Sequence, residues 1–222
     1  PLLRGDLQID HLLIEDAEIL VERQADGRLN WSSIQDAGRN ALAGRWSPPR
    51  IAGLRLLRGA VRYRDGAFDH DLAVSELSVL APDAAAAAVI NLDASLYDQP
   101  VAFEGQMTSL EELINGREIR VDGTIDVVGA RATMRGRIFH PLEGRGMDIH
   151  VSGRSDQAET LRQFLELPPI VRGEAVIAFD LNDRDGPLAL RNVAAQIAPV
   201  PGVKITLNGM VADALALAGL TM

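Results

Sequence analysis

Arg131-Ala-Thr-Met-Arg-Gly-Arg-Ile138 and Met147-Asp-Ile-His-Val-Ser152 decide the fold. In the first stretch Ala132, Met134 and Ile138 alternate with Arg131, Thr133, Arg135 and Arg137. In the second Met147, Ile149 and Val151 oppose Asp148, His150 and Ser152. Successive side chains on a strand point to opposite faces, so each stretch reads as a strand with one apolar and one wet face. Working outward, Ile119, Val121, Ile125 and Val127 oppose Arg120, Asp122 and Asp126, while Val203, Ile205 and Leu207 alternate with Lys204, Thr206 and Asn208. Ile177 and Phe179 belong to the same inward set. About a dozen such segments are legible, and one-faced strands are the antiparallel habit. The expected fold is mainly β: an antiparallel meander with a few short helices.

Asp-Gly pairs punctuate the pattern. Asp26-Gly27, Asp65-Gly66 and Asp185-Gly186 lie between strand-like runs and read as hairpin turns, whereas Asp122-Gly123 lies inside a run and reads as a bulge or kink. A short helix is expected over Trp31 to Leu42. Others are expected after the capping signal Ser109-Leu-Glu-Glu112 and after Asp156-Gln-Ala-Glu159, the last stopped by Pro168-Pro169. Ala84 to Ala88, after Pro82-Asp83, reads as a turn or as the start of a strand. Gly105, helix, strand with Gly123 and Gly153, helix, strand from Gly173 suggest a repeat offset by about 50 residues, which any meander with glycine turns also mimics. Composition shifts once, at Arg45-Trp-Ser-Pro-Pro-Arg50. This reads as a joint within one domain, because apolar alternation resumes at once. The whole of 1–222 is therefore read as part of one β domain. It opens at Pro1 in mid-pattern without Met, so a missing signal or anchor carries no weight.

Composition narrows the function classes. The hydrophobic fraction of 47% supports a buried surface, but aromatics are only 4%, so that surface is aliphatic and suits acyl chains better than bases or sugars. A net charge of −9 disfavours a nucleic-acid footprint. Lys204 is the only lysine, and with no cysteine there is neither a disulfide nor a thiolate metal site. His11, His70, His140 and His150 are scattered. Asp69-His70-Asp71 is the densest titratable cluster, but on a strand both carboxylates share the face opposite the imidazole. The pair Glu111-Glu112 sits in a first helical turn, where acids complement the dipole. No phosphate-cradling loop, nucleophile elbow or dinucleotide fingerprint is present. No catalytic residue, metal or cofactor is expected, and the chain reads as non-enzymatic.

Many one-faced strands and few helices leave a wide aliphatic surface to cover. Either the sheet folds on itself as a closed sandwich or barrel, or it stays open and curved with its apolar face left for a hydrophobic ligand. Periodicity does not separate the two. On the open reading the lining residues are Ile119, Val121, Ile125, Val127, Met134, Ile138, Met147, Ile149, Val151, Ile177, Phe179, Val203, Ile205 and Leu207. On the closed reading they are ordinary core. Ile149→Asp is expected to spare the fold only in the open case.

Leu7 to Trp31 resembles the AsmA family: a strand, a short break, then a strand ending in Arg, a Gly turn and Asn-Trp, carried here by Ile14, Ala17, Leu20, Arg23, Gly27, Asn30 and Trp31. Leu54, Gly59, Val61, Tyr63 and Asp65 are similar to the family's next hairpin. Leu188 to Ile197 followed by Gly202, Val203, Ile205, Leu207 and Gly209 fit a later strand pair. The resemblance implies a periplasmic β-sheet groove, anchored in the inner membrane in the full-length protein, that handles phospholipid or another acyl lipid in outer-membrane lipid homeostasis and assembly. It supplies no catalytic residues. Two rival expectations remain: an assembly factor that binds envelope proteins through its sheet edges, and a purely structural β module.

Overall fold

Backbone hydrogen bonds pass from neighbour to neighbour through one wide sheet. The computed structural model describes residues 8–24, 29–30, 50–66, 68–164, 172–184, 187–200 and 202–214. Its strands are β1 (Gln8–Ile9), β2 (Leu12–Glu15), β3 (Glu18–Arg23), β4 (Arg50–Ile51), β5 (Gly53–Asp65), β6 (Phe68–Leu80), β7 (Ala88–Leu96) and β8 (Gln99–Met107), then β9 (Ile119–Val127), β10 (Ala130–His140), β11 (Arg145–Ser155), β12 (Glu174–Asn182), β13 (Ala189–Val200) and β14 (Val203–Val211). Helix α1 (Leu110–Ile114) joins β8 to β9, a 3-10 turn (Pro141–Glu143) joins β10 to β11, and helix α2 (Ala158–Phe164) joins β11 to β12. From β5 to β14 every strand pairs with the next in an antiparallel meander, as the alternation predicts. β2 and β3 then both pair with β5, which makes a 12-stranded sheet. That sheet does not close into a barrel, so the closed alternative gives way to an open order.

The expectation of an all-antiparallel sheet is corrected at the N-terminal edge. β2 and β3 run parallel to β5, and β1 runs parallel to β4 in a separate two-stranded piece. Parallel pairing needs a crossover of at least a dozen residues, and residues 24–49 supply that length. Of the expected turns, Asp65-Gly66 is a hairpin turn with Gly66 at φ 59°. Two turns escaped the sequence reading, Tyr97-Asp98 and Val128-Gly129, each with both central residues at positive φ. Asp26-Gly27, Asp185-Gly186, most of the joint at 45–50 and the helix over 31–42 lie outside the described residues.

Both capped helices form. Ser109 Oγ accepts from the Glu112 amide at 3.1 Å, as the capping box predicts. Just before α2, Ser155 Oγ accepts from the Gln157 amide, and Glu159 in the first turn accepts from the Gly173 amide. After Pro82 the chain makes a turn, with Asp83 Oδ1 accepting from the amides of Ala85 and Ala86, before β7 starts at Ala88. The two strand–helix–strand units of the suspected repeat are both present. They start three strands apart, an odd number, so α1 and α2 lie at opposite ends of the sheet.

A one-residue slip would send every apolar side chain to the other face. The sheet contains such slips and cancels them. β6 gains one residue against β7 at Ser75. β5 gains one at Arg58, which takes φ 52° and stands opposite Ser75, so Leu54 and Leu56 before it share a face with Gly59 and Val61 after it. The break between β2 and β3 falls on Asp16, at φ 55°, in line with both. On the far side β13 gains one residue at Asn192, at φ 51°. In both β5 and β13 the residue at positive φ holds a neighbouring carboxylate. Arg58 donates to Asp16 at 2.9 and 3.1 Å and to Glu15 at 2.9 Å, and Asn192 donates to Asp180 at 2.6 Å.

Asp122-Gly123 is no bulge; its register is regular on both sides. Gly123 pairs with Gly105, and a Cβ on either would lie within 2.8 Å of the Phe103 ring, so the glycines make room for that ring. Gly136 is tighter still: a Cβ there would meet the Asp148 carbonyl oxygen at 2.1 Å and Ile149 Cα at 2.5 Å. Such small residues let β10 and β11 approach and the sheet bend. Gly136→Ala should therefore lower unfolding free energy by about 2 kcal/mol, in the overpacking range. A urea denaturation midpoint equal to wild type would refute this account of the bend.

Candidate functional site: the apolar concave face

The register places all fourteen predicted lining residues on one face. Ile119, Val121, Ile125 and Val127 pair with Ile138, Gly136, Ala132 and Ala130. Ile138, Gly136 and Met134 pair onward with Met147, Ile149 and Val151. Val151 meets Phe179 and Gly153 meets Ile177 on β12, and β13 then carries the face to Leu207, Ile205 and Val203. At about 4.8 Å per step, the ten steps from β14 to the N-terminal edge give a face roughly 48 Å long.

The same face extends across six strands that the sequence reading did not include. Leu72, Val74, Leu77 and Val79 of β6 lie opposite Leu96, Ala94, Leu92 and Ile90 of β7. Val101, Phe103 and Met107 of β8 follow, then Leu56 and Val61 of β5 and Ile14 and Ile19 of the N-terminal edge. In β7 and β8 plain alternation was there to be read. In β5 and β6 the inserted residues at Arg58 and Ser75 switch its phase in mid-strand.

This face is half-covered. Among the described residues no bulky side chain is fully buried. Coverage is greatest in two clusters, where Leu110 of α1 packs with Val79, Ala88 and Met107 and where Leu56 packs with Val74 and Ala94; Ile119 and Ile149 are also 5% exposed. Val121, Ile125, Val127, Met134, Ile138, Met147, Ile177, Phe179 and Ile205 are intermediate. Val203 and Leu207 on the β14 edge are 46% and 51% exposed. Ile149 and Val151 share this face but are too covered to report on openness, and the Ile149→Asp test loses its discriminating power.

The apolar side is the concave one. Arg23, on that face of β3, donates to the Gly144 carbonyl in the β10–β11 connection at 3.5 Å, and Leu29 packs against Gly144 with 4% exposure. Those groups lie six strand-steps apart in the sheet, counted from β3 to β10. A twist of about −20 to −25° per step accumulates to roughly 120–150° over that distance, enough to swing the edge strand across the face. Asn30 holds the corner: its Nδ2 donates to Leu20 O at 2.9 Å, and its backbone amide donates to Glu22 O at 2.8 Å.

The convex face is polar and laced with ion pairs: Arg135 with Asp122, Arg131 with Asp126, Arg62 with Asp71 and Arg184 with Asp148, all at 2.6 to 2.8 Å. Asp69 and Asp71 lie there beside Arg64 and Arg62, while His70 turns to the other face and bonds the Tyr97 hydroxyl. Hydrogen bonding from Arg58 holds the Asp16 carboxyl below the usual carboxylate range; Asn192, with His150, does the same for Asp180, and Arg62 for Asp71. No helix among the described residues is long and apolar enough to cross a membrane. No family model, curated protein or solved structure matches the chain.

A carboxylate whose pKa is depressed by folding adds stability above its unfolded pKa and loses it as pH falls through the folded value. Thermal midpoints should therefore be flat from about pH 8 to 5 and drop below about pH 4. The Asp16→Asn/Asp180→Asn double variant should melt lower at neutral pH and lose less on acidification. An acid limb as steep as wild type would remove these two carboxylates from the account.

Proposed function

We propose that this chain is a non-enzymatic lipid-handling segment of a bacterial envelope protein, which lays acyl chains along its concave aliphatic face while headgroups stay at the polar rim. One observation carries the reading: a single open sheet presents a continuous apolar face on which many large side chains, from Ile125 and Met134 to Phe179 and Leu207, are only partly covered or exposed. A soluble domain seldom leaves so wide an aliphatic surface without an occupant. Covering half of a roughly 16-carbon acyl chain, at about 0.8 kcal/mol per methylene, is worth about 6 kcal/mol before ordering costs. The AsmA resemblance supports the same reading and adds the setting: the periplasmic side of the inner membrane, an anchor in the full-length protein, and a role in phospholipid supply to the outer membrane. Binding is non-covalent, and the direction of movement is imposed from outside the segment.

A second reading rests on β14. Its outer edge has no partner strand among the described residues, and Val203, Leu207 and Met210 stand exposed on it. A protein partner adding a strand there would use main-chain hydrogen bonds rather than the apolar face.

Native mass spectrometry with lipid extraction, on chain expressed to the periplasm, separates the two. Met134→Asp places a charge in mid-face at a half-covered position, and Leu207→Asp places one at the exposed edge. Both should keep wild-type circular dichroism. Met134→Asp should cut retained phospholipid by about ten-fold, the factor that corresponds to roughly 1.4 kcal/mol. Lipid-free wild-type protein would sink the proposal. Loss of a protein partner in Thr206→Pro, with lipid retention unchanged, would favour the strand-addition reading.

A further inference from the structure

At one end of the concave face the lining changes from aliphatic to polar. β3, β5 and β6 carry Ile19, Val61 and Leu72 side by side, and two residues further along the lining is Val21, Tyr63 and His70. Beyond that Arg23 faces Asp65, with Arg23 Nε 3.2 Å from Asp65 Oδ2 and both side chains under a quarter exposed. The Tyr63 hydroxyl donates to Asp65 at 3.0 Å, and burial holds its pKa up, so it stays a donor. His70 bonds the Tyr97 hydroxyl, their rings edge to face at 5.8 Å.

A solvated rim does not need a partly buried Arg–Asp pair set directly against aliphatic residues, and partial desolvation makes such a pair costly unless it has further work. The arrangement offers one cation and one anion side by side, with aromatic rings next to them, where apolar lining ends. An isolated Arg would select an anionic headgroup; a paired Arg and Asp complement both poles of a zwitterion. The chain's net charge of −9 further disfavours a net-negative headgroup at long range.

We infer that the cluster of Arg23, Asp65, Tyr63, His70 and Tyr97 is a headgroup site selective for zwitterionic phospholipid. This rests on the acyl-groove reading above. The phosphate takes the Arg23 guanidinium in place of its long 3.5 Å contact with the Gly144 carbonyl. The headgroup ammonium takes Asp65 and the face of an adjacent tyrosine ring. The acyl chains leave along Val61 and Leu72.

The test mixes the chain with equimolar dioleoyl phosphatidylethanolamine and dioleoyl phosphatidylglycerol in detergent and reads the retained ratio by native mass spectrometry. Wild type should favour the zwitterion by about five-fold, the factor a partly exposed charge-assisted bond carries. Arg23→Gln and Asp65→Asn should bring the ratio to about one through loss of the bound zwitterion. If Arg23→Gln does not fold, Asp65→Asn carries the same comparison. Lipid bound with no preference in wild type, or a preference unmoved in both variants, overturns the headgroup site and leaves the groove standing. Glycerophosphoethanolamine, the headgroup without acyl chains, should not displace lipid at about 1 mM, because the chains supply most of the binding. Displacement would keep the polar site and overturn the groove. No lipid retained by wild type overturns both.

Discussion

Pleat parity is the constraint on which this structure depends. A sheet this wide has one apolar side only if every strand keeps its apolar residues in phase with its neighbours, because the side-chain period is two and a single slip inverts a strand. Irregularities are tolerated because those at the N-terminal edge are aligned: Asp16, Arg58 and Ser75 fall in one line across neighbouring strands. Arg58 ties two of the strands together on the polar side through Asp16. The same solution recurs at Asn192, whose amide reaches Asp180. Left-handed backbone is uncommon for a residue with a side chain, and an asparagine accepts it more readily than an arginine. At Arg58 the bidentate bond to Asp16 and the Asp16 amide bond to Leu57 O at 3.0 Å hold the strained turn in place.

With parity kept, curvature makes the face a groove. Strand twist bends the sheet, and the glycines at 105, 123 and 136 remove the side chains that would resist the bend on the inner side. The result is neither a sandwich nor a barrel. Most of the lining is shaded by the curve of its own sheet and, at one end, by α1, rather than by a second layer among the described residues. Stability is then spread along hairpins between adjacent strands, and the aliphatic face stays accessible to a guest of the same chemistry.

Much of this was legible from the sequence. Regular strands such as β9, β10, β11 and β14 disclosed their two faces, and every lining residue chosen from them lies on the concave side. The capping serine at 109 announced α1. What escaped was non-local. Parallel pairing of β2 and β3 with β5 depends on a crossover, not on any local signal. Phase changes at Arg58 and Ser75 look like noise until both partners are seen together. Gly123 looked like a kink because Phe103, which needs the space, sits 20 positions earlier on another strand. Arg23 and Asp65 stand 42 positions apart in a sequence that gave no sign they would meet.

The parallel N-terminal edge also sets an order of events. From β5 to β14 every pairing is between strands adjacent along the chain, so each hairpin closes a short loop. Docking β2 and β3 on β5 instead requires partners about 42 residues apart to meet, and closing a longer loop costs more entropy before any contact rewards it. β2 and β3, although synthesised before β5, are therefore the last of these strands to pair, and they wait for β5 and β6 to present their matched irregularity. Pulse-labelled amides in β3 gaining protection before those in β6 would contradict that order. Until β3 arrives, Arg23 and Asp65 are apart, so the polar end of the groove is the latest part of the molecule to mature.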